Sequence, residues 1–278
     1  MAKKNFIAYI GWFLQYFILA IFIIISIGPF IWVVMSSFKT SNEILSSAFS
    51  LPSHFNFDGY VKAVTISPIL KFYGNSIIIA VSGTFLNVLF VGMASYVLAR
   101  FNFKFRNALI VVLSVSLFLP MTALMQPIYM IIKQMGILDT RMGLILVYTA
   151  LGLPTTLFVM RSFFSALPMI EESAYIDGAG FLRTYFQIVM PIAIPGFATC
   201  AVLQFLLCWN DFLFALVLTT RESIRTLPLA LNYFTSQFSY DYTAKFAAIV
   251  IVIIPSIAFY VVLNEQVVSG LTAGSVKE

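Results

Sequence analysis

Histidine occurs once, cysteine twice, and charged residues make up 10% of this 278-residue chain. Each shortage excludes something. A lone histidine, His54 in a polar stretch, cannot build a His-rich metal centre. Cys200 and Cys208 share one apolar run. On a helix they sit about 12 Å apart at a rise of about 1.5 Å per residue, too far for a disulfide within it, and small apolar packing is their reading. Gly-Lys never occurs, so the chain carries no P-loop of its own. One loop histidine and two cysteines within an apolar run supply little of the nucleophile, metal or acid–base set that a membrane-embedded enzyme needs.

The shortage of charge is the deepest of these. A soluble domain carries roughly 25% charged residues, and here 61% of the chain is hydrophobic. A soluble fold of this length could not hide that much apolar surface, so lipid is the better solvent. The net charge of +5 is too small and too scattered for a nucleic-acid surface. It suits a chain held beside anionic headgroups.

A helix needs about 20 apolar residues to cross the hydrocarbon core. Six segments qualify, near 13–38, 75–99, 108–133, 141–163, 196–219 and 245–268. The expected fold is all-α, a polytopic membrane protein with a single transmembrane domain over 1–278. The first apolar run is longer than the core of a signal peptide and reads as a retained crossing. Pro120 and Pro127 are expected to bend the third crossing. Such a bend either lines a path or is a packing kink. Six crossings put both termini on one side. The 16 basic residues divide equally between the two faces, so the positive-inside rule rests on density. Arg100, Lys104 and Arg106 crowd one turn without an acid, which favours cytoplasmic termini.

Residues 164–195 form a polar-to-amphipathic interruption between the fourth and fifth crossings. Pro168 suits a first helical turn. Glu171 and Glu172 follow, favourable at the positive end of a helix dipole. Gly178 and Gly180 are expected to end this helix. A second helical stretch over 181–190 is expected to stop at Pro191. Ser173, Ala174, Gly178 and Ala179 are small enough for another protein to approach closely, and Glu172 and Asp177 can meet its basic groups. The alternative is an interfacial helix that only lies on lipid.

Trp209, Asn210 and Asp211 interrupt the apolar fifth crossing. An ionisable residue there is costly and suggests function. These residues, with Asn87 and Gln204 as further polar candidates, offer hydrogen-bonding groups and an aromatic face to a polar solute on a path through the membrane. They can equally serve a structural hydrogen bond between helices.

Several segments together carry a family resemblance. Ser37-Phe38-Lys39 closes the first crossing and Leu51-Pro52 follows; Asn75-Ser76 opens the second and residues 94–100 (Ala-Ser-Tyr-Val-Leu-Ala-Arg) close it. Then come Leu167-Pro168, Glu171-Glu172-Ser173-Ala174 with Gly178, Trp209-Asn210-Asp211-Phe212, Thr226-Leu227-Pro228-Leu229 and the tail from Gly270 to Lys277. The chain resembles, along nearly its whole length, the six-span permease subunits of carbohydrate-uptake ATP-binding-cassette (ABC) importers. It looks most like the smaller permease of maltose and oligosaccharide systems. Ser173, Met190 and Asp211 are mild departures from the family pattern.

The resemblance implies a non-catalytic subunit in a bacterial cytoplasmic membrane. It implies a second, similar permease, two ATP-binding subunits that hold ATP and Mg, and an extracytoplasmic sugar-binding protein. It assigns docking on the ATPase to Glu171, Glu172, Ser173, Ala174, Asp177, Gly178, Ala179 and Pro191, with Gly270, Gly274 and Lys277 of the tail as further contacts. No metal or cofactor is expected on this chain itself. An ion-coupled secondary carrier is the rival reading. It calls for inverted repeats and intramembrane charges; no repeat is visible, and Asp211 is the one clear intramembrane acid. Within the family, a sugar phosphate or a polyol is the alternative cargo.

Overall fold

In lipid a backbone must satisfy its own N–H and C=O groups, so apolar runs become helices. The computed structural model describes residues 2–234 and 241–273, with side chains over 11–234 and 241–262. Every regular element among the described residues is helical. In order they are α1 (Ala2–Ser36), α2 (Ser41–Ser46), α3 (Asp58–Ile66), α4 (Ile69–Arg100), α5 (Arg106–Ser116), α6 (Met125–Gln134), α7 (Arg141–Leu151) and α8 (Leu153–Ala166). Then follow α9 (Glu171–Ile176), α10 (Phe181–Arg183), α11 (Met190–Ile192), α12 (Ile194–Asn210), α13 (Leu213–Leu218) and α14 (Tyr242–Ala273). By length and composition α1, α4 and α14 each suffice to cross a membrane alone. Three bent pairs qualify jointly: α5 with residues 121–134 at 104°, α7 with α8 at 46°, and residues 181–192 with α12 at 77°.

The broken crossings correct the expectation of six continuous helices with a bend in the third alone, and their causes are local. The third crossing stops after α5, because Pro120 lacks an N–H and holds the preceding residue away from the helical region. Pro127 does not bend α6; it sits in the first turn, where a missing donor costs nothing. The fifth crossing does not run unbroken to residue 219. It ends at Asn210, turns through Asp211 and Phe212, and restarts as α13.

The chain groups into two compact units, residues 1–68 with 231–253 and residues 69–230 with 254–278. In the first, no residue in the most apolar stretch of α1 is buried within the chain. The polar segment after it is folded by Lys39, which is 1% exposed. Its Nζ donates to Ser47 O at 3.1 Å, Ala48 O at 3.2 Å and Ser50 Oγ at 3.4 Å, capping the end of α2. Thr40 and Glu43 form a reciprocal capping box at the start of that helix. The Ser53 hydroxyl and then the Thr40 N–H hold the Glu43 carboxyl down to about 2. The single histidine, His54, is exposed and bonds Ser53 Oγ through Nδ1 at 3.0 Å.

In the second unit α4 is central and packs against α7, α8 and α12. Its buried face includes Phe72, Ile79, Ala80, Val91 and Tyr96. One core gathers Tyr96, Met160, Phe164, Tyr185, Phe197 and Cys200. The two cysteines are buried and unbridged, as their spacing requires.

Candidate functional site

Residues 164–192 are built from short pieces with defined ends. Glu171 and Glu172 occupy the first turn of α9, as expected, while Pro168 lies before the helix rather than in it. Gly178 ends α9 with φ +78. Its N–H reaches Tyr175 O at 3.0 Å and the Ala179 N–H reaches Ala174 O at 2.9 Å, the paired closure of a Schellman motif. Gly180 does not share this role. It is extended (φ −74, ψ 166) and starts the following helix. That helix passes through Pro191 instead of stopping there. Residues Thr184–Val189 form a π-turn, and α11 continues to Ile192. The wider turn carries the helix past a residue that offers no N–H. The break falls at Ala193, ahead of Pro195.

Which side chains face outward differs from the small-residue reading. Ala174 and Ala179 are buried against their own chain, and so is Glu171. Glu172, Ser173, Asp177 and Gly178 are exposed. The surface also carries apolar groups that the sequence reasoning passed over: Ile176 at 86% exposure, with Met169 and Leu182 flanking. Their signal was available as apolar residues within a polar stretch.

Glu171 is spent internally. Its Oε1 lies 2.9 Å from Arg100 Nε, with side-chain exposures of 11% and 8%. Arg100 Nη2 also donates to Leu167 O and Pro168 O, each at 2.9 Å. One turn earlier on the same face of α4, Tyr96 packs on Phe164, Phe181 and Tyr185, with ring centroids 5.1–6.0 Å apart. The exposed α9 turn is therefore fastened to the end of α4 by an ion pair, two charge-assisted hydrogen bonds and an aromatic cluster. Displacing it displaces α4.

The polar residues near the fifth crossing separate into different roles. Trp209 is 1% exposed; it stacks on Phe205 at 5.5 Å and meets Tyr73 edge-on at 5.6 Å. Asn87 and Gln204 are buried too, so these three do not present side chains at the chain surface. The two amides serve the break at Gly152: Gln204 Nε2 donates to Tyr148 O and Asn87 Nδ2 to Thr149 O, both at 2.8 Å. Thr156 Oγ1 in turn donates to Asn87 Oδ1 at 2.6 Å. Asp211 is half-buried, accepting from Tyr148 Oη at 2.8 Å and from Ala215 N at 2.9 Å, which caps α13. Asn210 alone of the five is exposed, and Ser256 Oγ donates to its Oδ1 at 3.1 Å. Of the tail, Gly270 lies in α14, while Gly274 and Lys277 fall outside the described residues.

At the other end of α4, about 38 Å along its axis at about 1.5 Å per residue, two separate sequence segments meet. Asn75 Nδ2 donates to Ser223 O at 3.0 Å and Arg225 O at 2.9 Å, and the Leu227 N–H donates to Ser76 Oγ at 2.7 Å. Asp139, at φ +59, pins the same loop. Its Oδ1 takes the Thr220 N–H at 2.8 Å and the Arg221 N–H at 3.0 Å, and its Oδ2 pairs with Arg221 Nε at 2.8 Å. Burial pushes the Asp139 carboxyl up, but the hydrogen bonds from Arg221 and Thr220 outweigh it, and it lies below the usual 3.8. Its contribution is thus present above the unfolded value and lost as pH falls through the lower folded value. Asparagine keeps the Oδ1 acceptor and tolerates this backbone; alanine does neither. Asp139→Ala is expected to cost about 1–2 kcal/mol more than Asp139→Asn, from strain alone. Urea unfolding of the full chain at neutral pH measures the gap, and equal losses would refute it.

A family model described as "Binding-protein-dependent transport system inner membrane component" matches residues 89–272. The diacetylchitobiose uptake system permease protein of Streptomyces coelicolor is 40% identical over 261 residues, covering 93% of this chain and 86% of its own. The sulfoquinovosyl glycerol transport system permease protein of Agrobacterium fabrum is 33% identical, covering 95% and 93%. The trehalose transport system permease protein of Mycobacterium tuberculosis is 32% identical, covering 90% and 92%. The fold matches that in a crystal structure of a bacterial ABC transporter involved in the import of the acidic polysaccharide alginate. The TM-score is 0.82 at 23% identity, over 92% of this chain and 96% of that one.

Proposed function

This chain belongs to the family of binding-protein-dependent transport system inner membrane components, and on that premise we propose that it is the permease subunit of an ATP-driven sugar importer. It forms half of a translocation pathway with a second, similar permease. It is non-catalytic: two ATP-binding subunits hold ATP and Mg, and an extracytoplasmic binding protein delivers the cargo. The cargo is a di- or oligosaccharide or glycoside, the class that the diacetylchitobiose, sulfoquinovosyl glycerol and trehalose permeases share by name. The chain lies in the bacterial cytoplasmic membrane with both termini inside. The acid-free basic turn Lys104 to Arg106 supports this orientation, because Arg100 ties that face to the α9 turn.

The observation that carries the docking assignment is the α9 turn itself. It presents Ile176, Glu172 and Asp177 outward while its base is locked to α4. An apolar knob flanked by carboxylates fits a cleft with a greasy floor and a basic rim. A rigid base is what a part that transmits force requires. Asn210, exposed at the break of the fifth crossing, is the residue we assign to the sugar's route.

Gly178→Val tests the docking role. No atom lies within 4 Å of where a Cβ would stand, so the substitution meets no clash. It meets the left-handed backbone, which costs an L-residue about 1–2 kcal/mol. The α9 turn should open, ATP-dependent uptake and ATPase copurification should fall together, and membrane insertion should stay normal. Uptake at the parental rate would remove the assignment. Counterflow in ATP-free liposomes would instead point to an ion-coupled carrier.

A further inference from the structure

We infer that the groove between α4, α5 and α8 is a binding site for one anionic glycerophospholipid, its acyl chain in the groove and its phosphate against Lys104 and Arg106. The groove holds about 450 Å3 and its lining is almost wholly apolar. Phe90, Ala94 and Val97 of α4 form one wall, Leu109 and Leu113 of α5 the other, and Leu157 of α8 lies at the floor. No residue of α5 is buried. Along α4 the groove runs from Phe90 to Leu98, about 12 Å at about 1.5 Å per residue. That is most of the roughly 15 Å depth of one leaflet, half the core of about 30 Å.

The groove ends where charge begins. Phe103 closes it, and Lys104 follows, exposed, with Nζ 5.6 Å from the Phe105 ring centroid. Arg106 is held at the same level, its Nε donating to the carbonyl of Leu98, a groove residue, at 2.9 Å. Arg100 is committed to Glu171. Lys104 and Arg106 form no ion pair among the described residues, and no acid lies between residues 59 and 138 of the sequence. An apolar slot of leaflet depth with two uncompensated cations at its mouth complements a chain that carries one negative headgroup. A helix of another subunit could fill the slot, but would leave both cations without a counter-charge.

The test uses the whole importer complex in phosphatidylcholine vesicles. Phosphatidylglycerol or phosphatidylcholine with a photoreactive acyl chain is added at equal mole fraction, and crosslinked peptides are mapped by mass spectrometry. Phosphatidylglycerol should label residues 90–113 roughly twenty-five-fold more than phosphatidylcholine, from about fivefold for each of the two basic residues at the surface. Lys104→Gln, which removes one of the two charges along with the contact to Phe105, should lower that labelling about fivefold, and Lys104→Arg should retain it. Ala94→Trp should fill the groove and reduce labelling by both probes. Equal labelling by the two lipids, or labelling unchanged in Lys104→Gln, would overturn the inference. So would an unlabelled groove, which would mean that a neighbouring subunit covers it. Displacement of the lipid by soluble glycerol phosphate would show a phosphate site without the acyl chain, and would overturn it as well.

Discussion

Replacing Arg100 with leucine is expected to destabilise the chain by about 3–5 kcal/mol, the cost of leaving a buried charge without its partner. Arg100 and Glu171 sit 2.9 Å apart with side chains 8% and 11% exposed, so solvent screens the pair little. The loss is asymmetric. Arg100→Leu strands the Glu171 carboxylate and also withdraws Nη2 from the carbonyls of Leu167 and Pro168. Arg100→Leu combined with Glu171→Leu should recover most of the stability, because an apolar pair of similar volume replaces a buried ion pair at little net cost. The part not recovered, about 1–2 kcal/mol, is what two lost hydrogen bonds to carbonyls contribute. Urea titration of the detergent-solubilised chain, followed by tryptophan fluorescence, gives both numbers. A loss below about 1 kcal/mol in the single variant would mean that the pair behaves as a surface salt bridge, and the rigid link between α9 and α4 would have to be abandoned.

Gly152→Ala is expected to cost about 1–3 kcal/mol, although alanine in place of a helical glycine ordinarily stabilises by roughly 0.5–1 kcal/mol. The backbone there (φ −80, ψ −10) accepts any residue. The objection is spatial: a Cβ would stand 1.5 Å from Gln204 Oε1. Gln204 is flexible and can move aside, but its buried amide then loses Tyr148 O, an oxygen that still holds the Gly152 N–H at 3.2 Å at the break between α7 and α8. Stranded polar groups, and not steric strain, set the cost. Gln204→Ala alone removes the same hydrogen bond together with the amide. The double variant Gly152→Ala with Gln204→Ala should therefore be no worse than Gln204→Ala alone. A double-mutant cycle measures this coupling. Additive losses would show that Gly152 and Gln204 act independently. The same construction places Tyr148 under Asp211, so the break in the fourth crossing supports the break in the fifth.

What the sequence determined by itself follows from two properties that need no contacts to read. Scarcity of charge and apolar runs of bilayer length fix the solvent and the helical class, since only helices satisfy a backbone in lipid. The local pattern of two acids, then Gly178, fixes the α9 turn, since capping is decided within a few residues. The tertiary structure decided what each polar residue is for. Trp209, Asn87 and Gln204 read as candidates for a path, yet Trp209 packs among rings and the two amides brace the Gly152 break, because only the positions of neighbouring helices reveal which carbonyls a side chain can reach. Glu171 and Glu172 are adjacent and chemically alike. One is buried against Arg100 and the other faces outward, because the helical period turns consecutive residues to different faces and only the position of α4 says which face is covered. Asn75-Ser76 and Thr226-Leu227, some 150 residues apart, are two halves of one hydrogen-bonded corner. Sequence spacing carries no information on that meeting, because the path between them runs through four intervening crossings whose packing sets the distance.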